Sequence, residues 1–391
     1  MRPTKLLQRQ LDSSLGTVHR RRRDAIWRGV DGVILGGKLS LTALGRSLPG
    51  RTSDKHRIKA ADRLLGGGVH SQIRLFYRAL AKVLLKHNKN PIVAVDWCQL
   101  NAEHYRLSAQ LCCDGRALPL YDRVYLRTKA GNPLVQREFL RALATIVPHD
   151  ARPSIVTDAG FRSPWFDAVM GLGWDFIGRI RNRTHVCSRH GWIPVKRLHE
   201  LAGRHACDLG WLRMRRGMPR EYRLVLSELP KLKGRTRVTS KGVAGRNTQD
   251  RRRSSGAREP WLLATSLSSS AKSIVRTYGL RMQIEQSFRD AKSHRNGWSL
   301  RHAQSKTTQR LEVLLLIAAL ASVVVQMVGR AAARCDLQKR FQANTATHRV
   351  LSFFVLGRYV MRRKLSLPRT ILSRSLSETI AVTALNGILL V

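Results

Sequence analysis

The stretch Tyr278 to Lys292 (YGLRMQIEQSFRDAK) sets a lone acid into a row of cations. At about 100° per residue, a helix through it brings Tyr278, Arg281, Glu285, Arg289 and Lys292 into one arc of about 80°. Leu280, Ile284, Phe288 and Ala291 form an adjacent apolar stripe that would seat the helix on a sheet. A solvated face with i,i+4 compensation accounts for Arg281, Glu285 and Arg289. It leaves the aligned aromatic, Tyr278, unexplained. A single carboxylate among phosphate-binding groups suits a metal ion held at a DNA backbone. Two further acids close short apolar runs suited to buried strands: Asp96 ends PIVAVD, and Asp158 ends SIVTD.

The surrounding elements would bring these acids together. After Asp96, segments Tyr105 to Cys113 and Arg116 to Leu126 flank Asp114-Gly115, a favoured two-residue hairpin turn. Asn132 can cap a helix running to about Val147, with Phe139, Leu140, Leu143 and Ile146 on one face. The strand at 154–158, a helix from Pro164 to Leu172 and a strand from Asp175 to Ile180 follow. Strand, hairpin, helix, strand, helix, strand is the order of a ribonuclease-H-like mixed α/β sheet. Its first strand is central and its fourth lies beside it, which places Asp96 near Asp158. Pro260 to Thr265 reads as another strand, followed by a long helix.

The charge balance says what such a site would act on. The 391 residues carry 71 Lys and Arg against 25 Asp and Glu, a net +46, with 43% hydrophobic residues to build cores. A folded chain so basic requires a polyanion. The cations are spread along its length, which favours nucleic acid over a membrane surface. Residues 1–90 read as helical and basic. Leu39 to Leu48 and Asp54 to Leu65 outline a helix-turn-helix, with Lys55, His56, Arg57, Lys59 and Arg63 on the second helix; an ordinary helical bundle fits the same pattern. Between Lys231 and Arg258 ten Lys or Arg accompany one acid, Asp250, so that segment is either a disordered loop or one ordered by phosphates. Val313 to Gly329 is at the short limit for a bilayer span and contains Ser322 and Gln326, so it reads as a buried core helix. The N-terminus lacks a signal-peptide core, and the six cysteines show no zinc spacing. Both point to a cytoplasmic protein with reduced thiols.

Tyr278-x2-Arg281-x3-Glu285-x6-Lys292 resembles the Y-R-E-K signature of bacterial cut-and-paste insertion-sequence transposases with a DDE active site. IVAVDW around Asp96, VTDAGFRSPWF around Asp158 and EPWLLATS before the signature strengthen the likeness, which extends to the subgroup mobilising tetracycline-resistance composite transposons. The resemblance implies a metal-binding catalytic triad of Asp96, Asp158 and Glu285, holding two Mg²⁺ or Mn²⁺ ions. It implies DNA contacts from Tyr278, Arg281 and Lys292 at the transposon end, with Arg289 in the same row, and stacking of a flipped base on Trp261. Where a relative has a second stacking tryptophan inside the signature, this chain has Met282. The implied partners are double-stranded DNA, as terminal inverted repeats and target, and a second copy of the chain in a paired-end dimer, with no membrane.

The expected organisation is a helical DNA-binding domain over 1–90, catalytic segments over 91–181 and 260–330, a basic and mostly β insertion over 182–259, and a helical region over 331–391. Phe353 to Leu356 in that last region would serve either a partner or the chain's own packing. A ribonuclease-H-like nuclease that cuts without joining, and a non-catalytic DNA-binding protein, are the alternatives.

Overall fold

The computed structural model describes residues 3–181, 184–189, 191–228 and 259–388; the basic run from Lys231 to Arg258 lies outside the described residues. The helices are α1 Pro3–Asp12, α2 Arg20–Gly36, α3 Leu41–Ser47, α4 Asp54–Gly66, α5 Ile73–Leu84, α6 Pro133–Ala144 and α7 Ser163–Met170, then α8 Ala271–Gly279, α9 Met282–Lys292, α10 Thr308–Arg334, α11 Phe353–Arg362 and α12 Arg369–Ile388. The strands are β1 Ile92–Gln99, β2 His104–Leu111, β3 Leu118–Leu126, β4 Ser154–Thr157, β5 Asp175–Ile180, β6 His185–Ser188, β7 Gly191–Pro194, β8 Cys207–Met214, β9 Arg220–Ser227 and β10 Trp261–Thr265. Their order, β1, a β2–β3 hairpin, α6, β4, α7 and β5, makes a mixed α/β fold of the ribonuclease-H-like kind. The chain forms two compact units, Met1–Ser154 with Leu280–Ile388, and Ile155–Gly279.

In the first unit β3, β2 and β1 form an antiparallel ladder in which Asp96 faces Ser108. Ile92 to Val95 are fully buried, and β1 continues three residues past Asp96, so this acid sits within the strand rather than at its tip. The hairpin connection is also longer than a two-residue turn. β2 stops at Leu111 and β3 starts at Leu118, because the backbone of Cys113 and Ala117 bonds to α9 side chains instead of continuing the ladder. Gly115, at φ 72°, makes the reversal. Arg106 and Asp122 form a buried ion pair across the hairpin (2.6 Å), with Tyr77 donating to the same carboxylate. Asn132 caps α6, accepting from Leu134 N at 2.8 Å.

α10 fills the core of this unit. Among the described residues it is the one helix long and apolar enough to cross a membrane, and 94% of its apolar window is buried inside the protein. Its first turns carry Glu312, nearly inaccessible, which accepts from Val124 N (2.9 Å) and pairs with His70 (2.6 Å) and Arg123 (3.1 Å). Farther along, Ser322 accepts from Trp298 Nε1 at 2.9 Å. The helices before β1 share this core: a Cβ on Gly29 of α2 would press on Ile317 at 3.0 Å. α3 and α4 cross closely, since a Cβ on Gly45 would reach 2.5 Å from Ile58 Cα. α11 lies against α10 with the backbones nearly touching at Gly329 and Gly357, and Phe354 and Leu356 are buried there in the chain's own packing.

In the second unit the strand order is β4-β5-β10-β9-β8-β6-β7. β10 pairs antiparallel with β5 on one side and β9 on the other, Leu263 facing Arg179 and Val225. Strands β6 to β9, from the region expected as an insertion, thus extend the sheet that holds β5. Phe166, Phe176 and Tyr222 form its aromatic core, with the two phenylalanine rings stacked at 4.5 Å.

Candidate active site

Residues 278–292 do not form one helix. α8 ends at Gly279, a poor helix former, and the turn through Leu280 and Arg281 closes with three-residue bonds, Gln283 N to Leu280 O and Ile284 N to Arg281 O. The single helical face expected from Tyr278 to Lys292 is therefore interrupted. Tyr278 stays in the second unit, 2% exposed, with its ring edge-on to Trp261 at 4.7 Å; Arg281, Glu285, Arg289 and Lys292 belong to the first unit.

α9 is held by its inner face. Ile284, Phe288 and Ala291 are buried, as the apolar stripe requires. Gln283, on the same side, donates to Cys113 O (3.1 Å) and accepts from Cys113 N (2.8 Å); Ser287 donates to Ala117 O (2.9 Å). Arg116 pairs with Asp290 at 2.6 Å. Burial raises the Asp290 carboxyl above its ordinary range, and Arg116 opposes the shift. These clamps went unread in the sequence. A glutamine and a serine flanking the apolar stripe were the available signal.

The clamps put Glu285, in the first turn of α9, beside Asp96. The Arg281 guanidinium joins them, Nη1 at 3.3 Å from Asp96 Oδ2 and Nη2 at 2.8 Å from Glu285 Oε1. The other Asp96 oxygen accepts from Trp97 N at 2.7 Å. Cys98, two residues on and so on the same side of β1, meets Lys292 from the last turn of α9. Burial pushes the Cys98 thiol up and the Lys292 ammonium opposes this. Arg289 is exposed on the outer side of α9.

Asp158 is carried by the second unit, immediately after β4 and half-buried, its Oδ1 accepting from Gly160 N at 2.8 Å. Among the described residues, no three His, Cys, Asp or Glu side chains are grouped as a preformed metal site. Asp96 and Glu285 nonetheless fit a hard cation. Both are carboxylates reachable from solvent, and they already share one positive charge, the guanidinium of Arg281.

Residues 62–324, two thirds of the chain, match the transposase DDE domain. The chain belongs to the DDE transposase family. The matched span contains Asp96, Asp158 and Glu285, and it begins inside α4, so most of the N-terminal helical region precedes it. No curated protein matches the chain. As a member of this family the transposase acts on DNA, in keeping with its net charge of +46.

Proposed function

We propose that this transposase moves an insertion sequence by cut-and-paste, with Asp96, Asp158 and Glu285 as its catalytic carboxylates. The observation that carries the reading is the single cation shared by Asp96 and Glu285, two acids far apart in sequence, inside the matched domain. The three acids would hold Mg²⁺ or Mn²⁺, two ions in all, which when bound activate the attacking hydroxyl and relieve charge on the phosphate oxygens.

The chain's own groups position the DNA. Arg281, once released from the two carboxylates, presents a guanidinium fork to a phosphate near the transposon end. Lys292 lies at the far end of α9 and Arg289 on its outer side, both suited to the backbone farther along. Trp261 is half-buried and Tyr278 braces its ring edge-on, which suits it to receive an extruded base. Four phosphoryl transfers complete the reaction: nicking by water, attack of the freed 3′-hydroxyl on the opposite strand to form a hairpin, hairpin opening, and strand transfer into target DNA. Two ends are handled by two copies of the chain, at the nucleoid of a bacterial cytoplasm, with residues 1–90 as a DNA-binding region.

The test is a Mg²⁺-dependent assay on DNA carrying the element's own terminal inverted repeats. Wild-type protein should yield nicks, hairpins and joined products, while Asp96→Asn and Glu285→Gln bind this DNA and leave it uncut. Cleavage without hairpins or joining would reduce the reading to a nuclease. Unaltered cleavage by either variant would remove the site.

A further inference from the structure

The second unit contains a groove of about 720 Å³ whose polar lining is dominated by arginine. Asp158 and Arg162 line it from the segment after β4, Arg179 and Arg181 from the end of β5, and Arg215 and Arg216 from the β8–β9 connection. Glu259 engages Arg181 (2.5 Å) and, more loosely, Arg179 (3.9 Å), and Asp167 lies 3.8 Å from Arg215. Arg162 and Arg216 have no carboxylate partner among the described residues. Arg162 is exposed, and Arg216 donates to Trp192 O at 3.3 Å. Arg215 holds its place with φ 71°, a left-handed backbone unfavourable for a long side chain. None of these five arginines lies in the Y-R-E-K segment.

We infer that this groove takes the sugar-phosphate backbone of the DNA strand adjoining the phosphate at Asp158, gripping it without reading its bases. The inference rests on Asp158 being catalytic, because that end fixes which strand enters. Guanidinium forks match phosphate oxygens in geometry and charge. Base-stacking grooves additionally present aromatic faces. Here the two phenylalanines of the lining, Phe161 and Phe166, are 2% and 1% exposed and packed against Trp165 and Phe176, so they offer bases no ring face, and among the described residues the half-buried imidazole of His185 is the one other aromatic ring in the lining. Backbone contact positions a nucleic acid and carries no sequence information. The groove therefore supplies strand grip common to any DNA sequence, and end recognition comes from other parts of the chain.

The experiment titrates full-length protein, free of divalent metal, into two fluorescein-labelled duplexes of unrelated sequence over a KCl series. Arg162→Ala/Arg216→Ala should weaken binding to both duplexes alike and flatten the plot of log affinity against log salt by about two, near 0.9 per phosphate lost. Arg162→Lys/Arg216→Lys should restore the slope. A wild-type slope in the alanine pair, or a loss confined to one duplex, overturns the proposal. Phenylglyoxal labelling of the unmutated protein gives a readout independent of variant folding: DNA should protect Arg162 and Arg216, and equal labelling with and without DNA also overturns it. In parallel, Asp158→Asn is assayed for cleavage of inverted-repeat DNA. Persistent cleavage there would defeat the catalytic reading, whereas a dead Asp158→Asn beside a wild-type slope would defeat the groove alone.

Discussion

The Arg281 guanidinium bridges Asp96 and Glu285, 3.3 Å from one carboxylate and 2.8 Å from the other. Two bare carboxylates about 4 Å apart would repel by roughly 1 to 4 kcal/mol between water-like and surface-like dielectrics. The arginine offsets that repulsion and, under the proposed function, would compete with a divalent cation for the same oxygens.

Removing the competitor should therefore favour the metal. Two partly exposed ion pairs are worth about 1–2 kcal/mol together, so Arg281→Ala is expected to bind Mn²⁺ roughly five to thirty times more tightly while losing DNA cleavage. Titration followed by the EPR signal of free Mn²⁺ reads the affinity. Unchanged or weaker binding would mean that Arg281 does not stand in the metal's place.

Gln283 closes two bonds with the backbone of Cys113, both within the buried core. Its replacement by alanine leaves a buried N–H and a buried C=O without that partner, at about 1–3 kcal/mol for each group left unsatisfied. Gln283→Ala should lower the urea midpoint accordingly, and it should also reduce cleavage because Glu285 rides on the loosened helix. A variant with full stability would show that the Cys113 contacts do not anchor α9.

Gly329 and Gly357 allow α10 and α11 to meet backbone to backbone: a Cβ on either would overlap the carbonyl of Phe353 or of Val325. Alanine adds up to about 1 kcal/mol of helix propensity, but the overlap costs about 1–3 kcal/mol or more. The clash wins, and both Gly329→Ala and Gly357→Ala should destabilise the protein in chemical denaturation. A gain in stability for either would show that the two helices can separate freely.

Burial pushes the Cys112 thiol up to about 12 and the Cys113 thiol to about 11. In the unfolded chain both release their protons near pH 8.5–9, so above that range the unfolded form binds fewer protons and stability falls as pH rises, by about 1.4 kcal/mol per pH unit per thiol up to the folded pKa. The urea midpoint should drop between pH 8 and pH 10.5, and Cys112→Ala should make the drop shallower. Equal pH profiles for the two proteins would sink this assignment. Iodoacetamide at pH 8 should label exposed Cys207 and spare Cys98, Cys112 and Cys113.

Much of the scaffold was legible because it follows from local rules. The apolar run before Asp96, the Asn132 cap and the apolar stripe of α9 each depend on a few neighbouring residues, and each appears where expected. Two features of the site were not legible. The wheel from Tyr278 to Lys292 assumed unbroken helical geometry, whereas the low propensity of Gly279 and the tight turn at Leu280–Arg281 interrupt it. The arginine groove draws its side chains from three separated segments, so no window of sequence shows it. Likewise the Arg106–Asp122 pair depends on strand register, which places these two charges diagonally across the hairpin.

α10 is greasy all round, and a cylinder coated evenly with aliphatic side chains has little reason to prefer one rotation about its long axis over another. Glu312 near its start and Ser322 about three turns later act as two bolts, each engaging partners that exist on one side only. Turning the helix by a quarter would strand a charge in hydrocarbon surroundings. A rod that brute hydrophobicity could only bury is thereby indexed to a single azimuth, and the strands and helices leaning on it inherit that setting.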